Sequence, residues 1–426
     1  MRLSFTLCAI IALSEVAPAQ QRAGAPTQIA DSLRLTRRQA IAEALTHNAQ
    51  LEVARQQTAQ SRARRIEGIS IPDPALTAAY DESPQPFSFG GAGARDVAID
   101  WLLPFPSKVW LRNKIGNADI GSFESNYRLQ TQLIASQTSQ QYDSLLVARK
   151  HRDVLLEGRS LSSDFLKRTQ ARYTAGTAAK LDVIKAQVDL AQSENQLIAN
   201  ELDIANAQAA LNRLIGRVIA APIAPADSLE VPPPLPDSLT IEQTALQNRP
   251  ELTQLESQQR GAQATTSLLR QFWIPDFTFG ISHDYTQPGA PVFSTGIALP
   301  LPVLFWQHSK GEIAESRHHE QELAASYRDL RAQVTQDVRS AYATASTSLR
   351  QVLFLRDQLV PSAREAFRVA SVSYSLGGSS ALEVLDARRT LLDAESQLAD
   401  ALASANIARA DLERALGVPL STLGVR

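Results

Sequence analysis

Residues 374–386 read YSLGGSSALEVLD, a glycine pair followed at once by a helical run that carries Glu383 and Asp386. Three residues apart, the two carboxylates share one helix face and together attract cations. The plainer reading is a solvated acidic helix start, favoured by the helix dipole. A second stretch, YTAGTAAKLDVIK at 173–185, aligns with the first without a gap at an offset of 201 residues. There the equivalent positions hold Asp182 and Lys185, so the two copies differ in charge. Asp100 and Asp284 are two further carboxylates, each on the polar side of an alternating segment. His318 and His319 point about 100° apart on a helix and are poorly placed to chelate one metal. Met1 is the only methionine, so no methionine relay for soft metals exists. A phosphate loop with lysine, an H-E-x-x-H pair and a nucleophile elbow are all missing. The chain reads as neither an enzyme nor a holder of a metal or cofactor.

With 42 basic and 44 acidic residues, the charge balance gives no reason to expect nucleic acid as a partner. The start, MRLSFTLCAIIALSEVAPAQ, has a basic residue, a short apolar run and Ala17-Pro18-Ala19. It predicts a secretory signal over residues 1–19, too short in its apolar part for a spanning helix. Cys8, the only cysteine, falls inside it and lacks the small residues of a lipoprotein site, so an unlipidated exported chain is expected.

The internal alignment continues downstream. LDVIKAQVDLAQSENQL (181–197) faces LEVLDARRTLLDAESQL (382–398), and LNRLIG (211–216) faces LERALG (412–417). A duplicated architecture follows: repeats over 33–219 and 238–417, a proline-rich linker over 220–237 and a tail over 418–426. Prolines cluster at 72–106, 222–236 and 275–302, and the tracts between are expected helices at 37–69, 108–172, 179–215, 239–270, 307–372 and 380–416. Pro250 and Pro361 predict kinks or breaks in two of them. Helix 108–172 would be about 98 Å long, close to helices 37–69 and 179–215 stacked end to end. The glycine stretches then become tips where a long helix reverses, and the linker becomes a belt at mid-height.

Between the helices, DFTFGISHDY (276–285) and DVAIDWLL (96–103) alternate apolar and polar residues, with PALTAAYD (74–81) and VFSTGIALP (292–300) as weaker partners. Trp101, Trp110, Trp273 and Trp306 lie in or beside these windows. Short apolar-out, polar-in strands with aromatic edges describe a transmembrane β-barrel. Four strands cannot close one, so several chains must share it. A soluble coiled-coil adaptor is the rival class, because Leu181, Ile184, Val188, Ala191, Asn195, Ile198 and Leu202 fit a coiled-coil seam. It leaves the strand windows unexplained.

The tips RYTAGTAAKLDV (172–183) and SYSLGGSSALEV (373–384), the duplication, the re-entry LPLPVLFWQHSKGEIAES (299–316) and the paired helix openings ALTHNAQL (44–51) and ALQNRPEL (245–252) resemble the TolC family of outer-membrane channels. IPDPALTAAY (71–80) is most similar to its heavy-metal, CzcC/CusC-like branch. The resemblance implies a homotrimer: a 12-stranded barrel in outer-membrane lipid, four strands per chain, continued by a periplasmic α-helical barrel. It implies an exit duct that meets a periplasmic adaptor and an inner-membrane pump, of RND type in the metal branch. Multidrug efflux and type I protein secretion are the alternatives on the same fold. By resemblance, Glu383 and Asp386 line the periplasmic aperture, and Tyr374 and Asp182 belong to its gate network. Gly176, Thr177, Gly377, Gly378 and Ser379 face the adaptor, and Asp100 and Asp284 line the barrel lumen. Ser379 stands where better-known members carry arginine, which removes a charge-assisted link to Asp182.

Overall fold

The computed structural model describes residues 33–81, 94–284, 292–300 and 305–423. The signal segment and Tyr285 lie outside the described residues, as does the side chain of Trp306. In chain order the elements are β1 (Leu33–Leu35), α1 (Arg37–His47), α2 (Ala49–Ile69), β2 (Ala75–Asp81), β3 (Ala94–Leu103), α3 (Pro106–Thr174) and α4 (Lys180–Leu214). The second half holds β4 (Ile223–Pro225), α5 (Ser238–Asn248), α6 (Pro250–Leu269), β5 (Phe277–Asp284), β6 (Val292–Ala298), α7 (Phe305–Phe354), α8 (Val360–Ser375) and α9 (Ala381–Leu416). A π-helical turn, Leu355–Leu359, joins α7 to α8.

The expected helices are all present. With 69 residues, α3 runs about 104 Å at the usual rise. It packs on α4 and α9 along its lower half and on α2 and α6 along its upper half, making a wall one helix thick. Small residues allow the close approach: Ala118, Ser122, Ser136, Ser139, Gly158 and Ser162 are buried on α3. Alanines at 394, 399, 401, 403, 405, 408 and 410 are buried on α9. The buried hydroxyls stay satisfied by bonding back one turn, as Thr138 does to Ile134 O at 2.7 Å and Ser162 to Gly158 O at 2.9 Å.

Two equivalent cores sit at mid-height. One holds Ala40, Ala44, Leu51, Ala207, Leu211, Leu214 and Ile215. The other holds Ile241, Ala245, Leu252, Ala408, Leu412, Ala415 and Leu416, each 201 residues further on. The proline-rich segment runs from the first core, where Leu229 packs, to the second, where Leu235 packs. Asn406 and Arg409 of α9 hold its carbonyls at Glu230 and Pro233.

Two features depart from the sequence expectations, and a third gives one of them its form. For the opening helices of the two repeats a break was expected at Pro250 alone, yet both break at the equivalent position. Asn48 ends α1, caps α2 by accepting from Gln50 N, and donates to Leu214 O at 2.9 Å. Arg249, held extended by the proline after it, donates to Arg414 O at 3.3 Å and pairs with Asp337 at 3.0 Å. At Pro361 the expected local break takes the form of a π-helical turn, Leu355–Leu359, after which α8 carries the rod on. A short parallel pairing of β1 with β4 was not foreseen; three residues per strand are too few to show alternation.

Beside that pairing, Tyr142 donates to Leu35 O at 2.8 Å, and Arg37 reaches the fully buried Asp143. Burial pushes the Asp143 carboxyl up to about 6, although Arg37 pulls it the other way.

The four long strands form one antiparallel sheet in the order β2-β3-β5-β6. Its register joins like faces. Leu76 pairs with Ile99, Ile99 with Ile281, Trp101 with Phe279, and Phe279 with Ile297 on the apolar side. Asp100 pairs with Gly280 and Asp96 with Asp284 on the other.

Candidate aperture and channel surfaces

Each tip is a reversal built on a left-handed glycine, Gly176 at φ 75° and Gly377 at φ 83°. The next helix is capped differently in the two repeats. Ser380 caps α9, its hydroxyl accepting from Glu383 N at 3.3 Å. In α4 the cap residue is Ala179, and Asp182 reaches back to accept its N–H at 3.3 Å. Asp182 is therefore engaged with its own helix start, and among the described residues no hydrogen bond joins it to Tyr374.

Tyr374 is buried. Its hydroxyl donates to Thr169 Oγ1 at 3.4 Å, and its ring meets Phe165 at 5.4 Å between centroids. The Arg172 guanidinium stacks 4.5 Å above the same ring and donates to the carbonyls of Tyr374 and Thr177. One arginine thus ties the first tip to the second. Ser379 donates to Ala370 O at 3.1 Å, back along its own hairpin. Glu383 and Asp386 stand exposed on one face of the first turns of α9. Thr177, Gly377 and Gly378 are also on the surface.

The strand sheet exposes its apolar face: Leu76 is 72% exposed, Phe293 70% and Ile297 67%. Asp100 and Asp284 lie on the opposite, polar face. Facing glycines at 280 and 296 leave the Asp100 carboxylate room to lie across its neighbours. Trp110 and Trp273 are exposed near the sheet-to-helix junction, where Asp276 accepts from Phe105 N at 2.9 Å and pairs with Lys108 at 3.1 Å. His319 pairs with Glu322 of its own helix, and the described residues hold no cluster of three metal-ligating side chains. No described helix is long and apolar enough to cross a membrane.

The helical wall has two apolar edges. On α4 the seam residues Leu181, Ile184, Val188, Ile198 and Leu202 are exposed. On the α7–α8 rod, so are Leu353, Phe354, Val369, Val372 and Leu376. Measured from the tips, Ile198 and Leu202 stand about 30–36 Å up, level with Leu353 and Phe354 at about 33–35 Å. The lower apolar groups match likewise.

Arg172 and Arg388 escaped the sequence reading. A signal for both was present: the repeats put Ser373 and Gln187 at the equivalent positions, so each arginine breaks the internal symmetry.

A long duplicated helical wall with a small amphipathic sheet at one end defines an export channel subunit. The chain belongs to the outer membrane efflux protein family, whose model matches residues 106–217 and 241–418. Membership makes it a transport protein and not an enzyme, and it bears out the resemblance carried by the tips and the duplication. Among individual proteins, it is 25% identical to the cobalt-zinc-cadmium resistance protein CzcC of Cupriavidus metallidurans, over 67% of this chain and 68% of that protein. It is also 25% identical to the pyoverdine export outer membrane protein OpmQ of Pseudomonas aeruginosa, over 67% of this chain and 61% of that protein. The solved structure of CusC superimposes with a TM-score of 0.77 at 19% identity, covering 94% of this chain and 96% of that one.

Proposed function

We propose that three copies of this chain form an exit duct in the outer membrane. The duct would receive its substrate from an inner-membrane pump of RND type through a periplasmic adaptor docked at the tips. The observation that carries the reading is the sheet. Its four strands keep apolar residues in register on one exposed face, and among the described residues its outer strands β2 and β6 pair with no further strand. In lipid an open edge costs several kcal/mol per unpaired backbone group. Head-to-tail closure of three sheets satisfies both edges and gives 12 strands with an apolar exterior. The matched apolar edges of α4 and α7–α8 close the helical part in the same sense.

The substrate class we infer is heavy-metal cations. The likeness to CzcC supports it, and so does the exposed carboxylate pair Glu383–Asp386, which three-fold symmetry would turn into six acidic groups at the aperture. The likeness to OpmQ favours a second reading, export of organic molecules. Growth of a deletion strain decides between them, with divalent metals tested beside dyes, detergents, antibiotics and a siderophore. Sensitivity confined to metals is the expected result; sensitivity to organic compounds alone would overturn the metal assignment and leave the duct standing.

The aperture reading has its own test. Replacing Glu383 and Asp386 together with alanine is expected to lower cation selectivity in planar bilayer recordings, shifting the reversal potential toward zero in a salt gradient. An unchanged reversal potential removes the pair from the aperture.

A further inference from the structure

Two residues after Asp386, on the opposite side of α9, Arg388 is buried to 6% exposure. Its guanidinium joins three helices. One nitrogen donates to Gly158 O at 3.1 Å and to the Ser162 hydroxyl, both on α3. The other forms an ion pair with Asp189 on α4. Ser162 in turn meets Ser193 of α4 at 3.1 Å, and Ser193 bonds back to Asp189 O. Otherwise α4 and α9 touch only sparsely, each lying on its own side of α3. Gly158 lets α9 approach closely, since a β-carbon there would stand 2.8 Å from the Leu392 Cδ1 methyl, which would have to shift.

Geometry, not stability, is what such a pair supplies. Arg388 Nε and Asp189 Oδ2 are buried without partners among the described residues, so the desolvation of both ions is only partly repaid. An apolar pair of similar volume would stabilise the bundle as well, but it would not fix how far α9 slides or turns against α4. The internal repeat sharpens this. Gln187 and Thr390 occupy the equivalent positions, so the duplication did not supply a second copy of the lock. On the neighbouring rod the π-helical turn Leu355–Leu359 precedes α8, an irregularity of the kind at which a helix can bend, and Arg364 ties α8 to Glu395 of α9 just below it.

We propose that Arg388 is a positioning residue that locks α9 to α3 and α4 through Asp189 and Ser162, and thereby sets the resting width of the aperture carried by Glu383 and Asp386. The role in setting aperture width rests on the duct reading; the lock itself does not. Freed from Asp189, the α8–α9 arm would pivot at the π-helical turn and carry the two carboxylates away from the axis.

The test uses the full-length chain with Cys8 replaced by serine. Nitroxides are placed at Gln192→Cys on α4 and Thr390→Cys on α9, and their separation is read by pulsed electron spin resonance. Arg388→Leu removes the charge and keeps the volume, whereas Asp189→Asn removes its partner. Both variants are expected to widen the distance distribution by about 5 Å and to raise single-channel conductance roughly threefold. The exchange Arg388→Asp with Asp189→Arg is expected to restore both values toward the parent. Intact trimers with an unchanged spin distance in both single variants would overturn the lock. Should the parent form no channel at all, the duct reading fails, while the spin distances still decide whether Arg388 holds α9.

Discussion

Replacing Gly417 with alanine is expected to destabilise the chain by about 2–4 kcal/mol, among the largest effects of any single methyl group added to it. Gly417 ends α9 at φ 79°, where an L side chain is strained by roughly 1–2 kcal/mol. The new β-carbon would also stand 2.7 Å from Asn248 O, a backbone atom at the break between α5 and α6. Neither partner can swing away, because both belong to the junction that Arg249 holds to Arg414 O. Gly216 is its counterpart, at φ 70° with His47 O 2.8 Å from the added carbon, and should respond alike. Gly311 supplies the contrast. Within α7, with nothing within 4 Å of the added carbon, its change to alanine should stabilise by about 0.5–1 kcal/mol through helix propensity. Thermal melting in detergent separates the three. Asparagine at 417 divides the causes, since it tolerates the left-handed backbone but keeps the clash. A Gly417→Asn variant as stable as the parent would show that strain alone matters.

Long elements leave long signals in the amino-acid sequence. Helices of 35 to 69 residues, each with a glycine tip at one end and proline at or beyond the other, leave little freedom of placement, and α3, α4 and α9 lie within two residues of expectation. The strand windows were legible because one face meets an apolar medium and the other a polar one, which writes period two into 75–81, 94–103 and 277–284. The break at Asn48 was not legible. Asparagine can sit inside a helix, and here its cap on Gln50 N is held in place by a bond to Leu214, 166 residues away. The tip shows the same limit. The glycines announce a reversal, but that Arg172 stacks on Tyr374 and Asp182 caps its own helix depends on how two hairpins meet. Of the candidate residues, Tyr374 is buried while Glu383 and Asp386 are exposed, and nothing in their local spacing distinguishes the three.

Placing glutamate at both Ile198 and Leu202 is expected to abolish the trimer while leaving the single chain folded. The two side chains are 68% and 62% exposed within one chain, so the substitution costs its own fold little. In the proposed assembly they are covered by Leu353 and Phe354 of the adjoining copy, and a buried unpaired carboxylate costs several kcal/mol. Closure by three equivalent contacts multiplies that penalty, because each copy carries the change at one edge and meets it at the other. The loss is read as a shift from trimer to monomer on unheated gels and by sedimentation in detergent, with circular dichroism reporting retained helix. Adding lysine at Leu353 and Phe354 in the same chain should return part of the trimer, since opposite charges then face each other across every contact. Recovery of this kind is specific to a head-to-tail ring. A ring in which α4 met α4 would gain nothing from lysine on α7, and a trimer indifferent to all four changes would mean that these edges never meet.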